Sequence, residues 1–158
     1  MKRLLGILII MVMGTGLYYT SANETGERMV VLESEREGQV FFERPVSAGD
    51  IYELSWIHSV EKTPWAERYA VTDEDAFLLE RTEFASYGAG VPHEANEVRT
   101  ENGMIIYDGI NTLHDDLRWI HSHQAEHALY INGEQAFPPS AIPHQTAVRL
   151  YIEWRSSE

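Results

Sequence analysis

The chain has 158 residues, 25 Asp and Glu against 12 Lys and Arg, a formal charge of −13 and no cysteine. That field repels phosphate backbones and anionic lipid headgroups, so nucleic acid is not an expected partner and nothing draws the domain to an anionic bilayer surface. Without cysteine there is no disulfide, no thiolate metal site and no lipid-bearing cysteine, so the fold must be held by its apolar core.

The first element is Met1-Lys2-Arg3 followed by a charge-free run from Leu4 to Tyr19 and then Thr20-Ser21-Ala22. A basic start, an apolar run and small residues have the shape of an export signal cut after Ala22. The same residues suit an uncleaved single-pass anchor, although the run is short against the roughly 20 residues of a spanning helix. In either case Lys2 and Arg3 stay inside and the remainder lies outside the cytoplasmic membrane. The expected location is therefore exported, either on the outer face of that membrane or secreted. Residues 1–22 are read as signal peptide or anchor helix, 23–28 as a polar linker containing Gly26, and 29–155 as a single β domain.

Short apolar stretches then alternate with turn signals. The expected strands are Met29–Glu33, Val40–Arg44, Ile51–His58, Glu67–Thr72, Phe77–Ala85, Met104–Tyr107, Leu117–His121, Ala128–Ile131 and Ala147–Trp154. Alternation supports them: Tyr52, Leu54 and Trp56 take every second place, as do Val148, Leu150, Ile152 and Trp154. Asn102-Gly103, Asp108-Gly109 and Asn132-Gly133 read as hairpin turns, whose central residues need positive φ. Leu113–Gln124 is the one helix contender. The pattern predicts an all-β fold, a small antiparallel sandwich or barrel preceded by the N-terminal helix.

The densest polar segment runs from His58 to Tyr69. It holds His58, Ser59, Glu61, Lys62, Trp65 and Glu67, with Thr63-Pro64 as a turn signal. On an extended arm His58 shares a face with Trp56, and past the turn Trp65, Glu67 and Tyr69 share one. His58 and Glu67 are expected to face each other across the hairpin, either as a carboxylate that tunes an imidazole for binding or as a contact that fixes register. Lys62, the only lysine beyond Lys2, is either an anion-binding charge or a surface ion pair with Glu61 or Glu67. Ser59 lacks the Gly-x-Ser-x-Gly surroundings of a nucleophile elbow, and no catalytic signature stands elsewhere.

A second segment, Tyr87-Gly88-Ala89-Gly90-Val91-Pro92, is a tight turn after a strand. It offers backbone amides to a ligand or simply reverses the chain. A third is the histidine cluster His121, His123 and His127. Its spacing allows a metal site but lacks His-Glu-x-x-His, so no metal or cofactor is expected and metal binding stays the alternative. Trp56-Ile57-His58-Ser59 recurs as Trp119-Ile120-His121-Ser122, a coincidence or a shared local solution.

The His58–Tyr69 segment, followed by Leu78-Leu79-Glu80-Arg81-Thr82-Glu83-Phe84 and then Tyr87–Pro92, resembles the bacterial "domain of unknown function 1850" family over roughly residues 30–152. The resemblance implies a small extracytoplasmic domain without established activity. It also implies an association with tripartite ATP-independent periplasmic (TRAP) solute transporters, beside which members are commonly encoded. Any disulfide that family members form near the C-terminus is absent here. The expectation is thus a non-enzymatic accessory protein contacting the membrane subunit or solute receptor of a TRAP transporter. The candidate contact is His58, Ser59, Glu61, Lys62, Trp65, Glu67, Tyr87, Gly88 and Gly90. The alternative is an independent small-ligand- or metal-binding β domain.

Overall fold

The computed structural model describes residues 26–88 and 90–156. The expected signal or anchor, residues 1–22, lies outside the described residues, among which no helix is long and apolar enough to cross a membrane.

Among the described residues eleven strands form two antiparallel sheets. The smaller is ordered β2 (Val40–Pro45), β1 (Gly26–Ser34), β11 (Thr146–Ser156), β8 (Asp116–His121). The larger is ordered β10 (Glu134–Gln135), β9 (Ala128–Ile131), β3 (Ile51–Ile57), β4 (Pro64–Val71), β5 (Phe77–Phe84), β7 (Met104–His114), β6 (Glu97–Glu101). Both sheets keep open edges, so the barrel alternative is not realised. The alternation seen in the sequence explains the layers. Val30, Leu32, Leu117, Val148 and Leu150 from the smaller sheet meet Tyr52, Leu54, Tyr69, Phe77, Leu79, Leu129 and Ile131 from the larger in one buried cluster. Each such side chain contributes about 1.5–3 kcal/mol of transfer free energy, set against the entropy of ordering it.

Four details depart from the sequence reading. Strand β1 begins at Gly26, inside the stretch read as a linker, because it pairs with β11 as far as Ser156. Leu113–Gln124 is not helical: it ends β7 and supplies β8, since Leu117 and His121 are buried on one strand face. Asp108-Gly109 does not end a strand. Gly109 (φ 67°) and Asn111 (φ 57°) lie in a bulge of β7, opposite a register shift in β5. Strands β6 and β10 were not foreseen.

The bulge in β5 matters for the site. Against β4, Glu80 is an extra residue: Arg68 pairs with Arg81 and Tyr69 with Leu79. The inward set is therefore Phe77 and Leu79, then Thr82 and Phe84, all buried. A regular strand would have turned Arg81 and Glu83 into the core. Instead Arg81 sits on the outer face, where it donates to Asp108 beside Arg99. Phe84 is delivered inward against Trp65.

Candidate functional site

The β3–β4 hairpin is closed by a four-residue loop, Ser59–Lys62. His58 N–H donates to Thr63 O at 2.8 Å, and Lys62 N–H donates to His58 O at 3.0 Å. Lys62 adopts a left-handed conformation (φ 56°) to complete the reversal. This register pairs Trp56 with Trp65 and Leu54 with Glu67. The expected cross-hairpin meeting of His58 with Glu67 does not occur, because His58 stands opposite Thr63 and Glu67 lies four pairs further down the ladder. The His58 ring instead contacts the Glu61 carboxylate within its own loop, through Nδ1. Val60 N–H and Glu61 N–H also point at Nδ1, at 3.4 and 3.5 Å.

Glu61 ties this loop to the glycine turn. Its carboxylate lies directly on Gly88: a Cβ built there would stand 2.4 Å from Oε1 and 2.6 Å from Cδ. Thr63 and Ser86 hydroxyls are 3.4 Å apart beside it. Two segments more than twenty residues apart in the chain thus lie side by side at the same end of the larger sheet.

Behind them runs a stack of rings. Trp65, almost fully buried, stacks on Phe84 (centroids 4.8 Å), His58 (5.5 Å) and Trp56 (5.8 Å). Trp56 stacks on His127 at 6.2 Å, and His127 lies 5.9 Å from His121 of the smaller sheet. Loop 122–127 bridges the sheets, since Ile57 N–H donates to Ala125 O at 2.7 Å. Between these walls opens a cleft of about 480 Å³ whose lining includes Trp56, His58, Trp65, Glu67, Ile120 and His127. Its size falls within the range of small-molecule sites.

Glu67 is the charged group of the cleft wall. Its side chain points to the inner face of β4, between Leu54 and Thr82 on the neighbouring strands. Burial pushes its carboxyl above the usual range, and the Tyr69 hydroxyl donating to Oε2 at 2.6 Å, with the Trp65 indole nearby, opposes that rise. The same burial, together with the Glu67 charge, raises the Tyr69 phenol. Among the described residues neither Lys nor Arg lines the cleft.

The other sequence candidates occupy definite places. Ser59 is exposed and lines the mouth. Lys62 is exposed and, among the described residues, has no carboxylate at ion-pair distance, so its expected pair with Glu61 or Glu67 is not formed. Tyr87 stands exposed, edge-on to Phe84 at 5.6 Å, and Gly90 lines the cleft. The histidines are used internally. His121, buried, donates Nε2–H to Pro139 O at 2.8 Å, and His123 donates Nε2–H to Ile142 O at 2.9 Å. His127 Nδ1 accepts Ser122 N–H at 3.2 Å. Burial lowers the proton affinity of His121 and His127. Among the described residues no three His, Asp or Glu side chains are grouped to hold a metal ion.

Sequence reasoning missed Trp56 and Ile120 as cleft residues and named His127 only as a possible metal ligand. The signal was present in the repeated Trp-Ile-His-Ser. Both copies border this cleft, Trp56 to Ser59 from the larger sheet and Ile120 with Ser122 from the smaller.

The fold and the cleft together define a two-sheet all-β domain with a ring-lined pocket at one end. The chain belongs to the family described as Domain of unknown function (DUF1850), whose family model matches residues 52–137, from β3 through β10. No curated protein and no solved structure matches it.

Proposed function

We propose that this protein is a non-enzymatic accessory domain, working outside the cytoplasmic membrane beside a TRAP-type solute transporter. In this reading the cleft end of the larger sheet is its working surface. The observation that carries it is the seating of Glu61 on Gly88, which unites the two family-like segments around one open cleft. The mouth is suited to protein contact: Val60, Tyr87 and Ile120 are large apolar side chains left exposed around it. The basic and apolar N-terminus supports export, and the family resemblance supports the transporter as the partner.

Co-purification from detergent-solubilised membranes tests the reading. The chain is expected to bring down the membrane subunit or the solute receptor, and a Tyr87→Asp, Ile120→Asp variant is expected to lose it. Recovery of neither component, with the transporter intact in the extract, overturns the association. A second reading, an independent small-ligand domain, is favoured by the depth and ring lining of the cleft.

A further inference from the structure

We propose that the cleft binds a small organic cation, an amine or guanidine carried on an apolar stem. The inference rests on the cleft as the working site and is independent of the transporter association.

Four observations point to this occupant. First, charge: Glu67 lines the cleft, no Lys or Arg among the described residues lines it, and the imidazole of His58 is already engaged by Glu61. A carboxylate offers about four lone-pair sites, and Tyr69 takes one of those of Glu67. Second, cost: a carboxylate on an inner strand face is unfavourable for folding, and a glutamine would accept the same Tyr69 hydroxyl bond without a charge to desolvate. Third, surfaces: the half-buried Trp56 brings its indole to the cleft wall, backed by the buried Trp65 ring, and an aromatic ring attracts a cation. Fourth, the long-range field of a chain with formal charge −13 draws cations toward the mouth. An anion would meet Glu67 with no Lys or Arg among the described lining residues to compensate it. A neutral apolar occupant would desolvate the carboxylate further without a partner.

The cleft volume of about 480 Å³ admits a molecule such as phenethylamine or agmatine with room for ordered water. The ammonium or guanidinium would sit against Glu67 with its stem along the half-buried Trp56.

The test is a titration of the purified full-length chain in phosphate buffer free of Tris and other amines. Tryptophan fluorescence and calorimetry would follow phenethylamine and agmatine, with phenethyl alcohol and phenylacetate as neutral and anionic counterparts. Saturable binding of the amines is expected, with the alcohol at least about tenfold weaker and phenylacetate without effect. Glu67→Gln, with a melting temperature equal to or above the parent's, is expected to weaken amine binding at least about tenfold. Trp56→Leu, at a half-buried position, gives an independent check by removing one ring while keeping the carboxylate. Equal affinity for amine and alcohol, undiminished binding by both folded variants, or no saturable amine binding in the millimolar range would each overturn the proposal. Failed amine binding with intact co-purification sinks the ligand chemistry alone. Amine binding without co-purification sinks the transporter reading alone.

Discussion

Replacing Gly88 with alanine probes the joint between the hairpin loop and the glycine turn. The backbone there is not left-handed, so alanine is conformationally permitted. Its Cβ would nevertheless stand 2.4 Å from Glu61 Oε1 and 3.0 Å from Oε2, well inside van der Waals contact. Glu61 is the flexible partner and must swing out, abandoning His58. The His58 and Glu61 side chains are only 13% and 22% exposed, so their contact exceeds a fully solvated pair in strength. Its loss is expected to cost about 1–2 kcal/mol, between a surface ion pair and a buried charged hydrogen bond. In urea unfolding this lowers the midpoint by roughly 0.5–1 M. The decisive comparison is a double-mutant cycle with Glu61→Ala. In that background Gly88→Ala meets open space and is expected to be neutral within about 0.3 kcal/mol, or slightly stabilising through the less flexible unfolded chain. A Gly88→Ala cost that is the same in both backgrounds would refute the contact and the joint built on it.

Three further expectations concern stability. Asp116 is held down to about 2, first by the hydrogen bond from Arg118 and also by Arg149. A folded pKa below the ordinary 3.8 means stability that is present above that value and lost as pH falls through about 2. Asp116→Asn is therefore expected to cost about 1 kcal/mol at neutral pH, after discounting for solvent screening, and nothing once the carboxyl is protonated. His121 and His127 behave oppositely in charge but alike in direction. Burial lowers both below the ordinary 6.5, so on acidification the unfolded chain takes up their protons first. Stability should start to fall near pH 6.5 and continue down to the lowered folded values, with a slope of at most about 1.4 kcal/mol per pH unit for each histidine. Chemical denaturation across that range should show a shallower slope for His121→Gln, and an unchanged slope would contradict the assignment. Gly109→Ala combines a left-handed backbone (φ 67°) with a Cβ 2.6 Å from the Asn96 side chain, and should cost about 1–3 kcal/mol by thermal melting.

Much of the fold was legible because a half-buried strand writes its burial into alternate residues. Tyr52 and Leu54 were read as one face and are buried together, as are Val148 and Leu150. The Asn102-Gly103 and Asn132-Gly133 turns were legible because only a small set of residues tolerates two successive positive φ angles, and all four residues have them. The strands that escaped lacked those signatures. β6 is Glu-Val-Arg-Thr-Glu, an edge strand paired on one side, whose charges leave no apolar face to recognise. β10 is two residues long. Asp108-Gly109 carried a true signal for positive φ, but a bulge uses that conformation as readily as a hairpin. At the site, face assignments held for Trp56, Trp65, Glu67 and Tyr69, while the partner of His58 did not. Loop length decided that partner. With four residues between His58 and Thr63, the loop itself returns Glu61 to the imidazole, and a count of alternating residues along the strands cannot reveal this. The part played by loop 122–127 was hidden for a similar reason. His127 reaches Trp56 because β9 pairs with β3, Ser55 opposite Ala128, which brings the next residue of each strand together, and sequence spacing carries no information on which distant strands pair.

Photo-crosslinking in cells tests the working surface most directly. A benzophenone side chain would be placed at Ser59 or at Tyr87, exposed positions on the two segments that the Glu61–Gly88 contact joins, and at Glu134, exposed on β10. Crosslinks from positions 59 and 87 to the same transporter component, with none from 134, is the predicted result. Capture from position 134 alone, or of unrelated partners from 59 and 87, would contradict it.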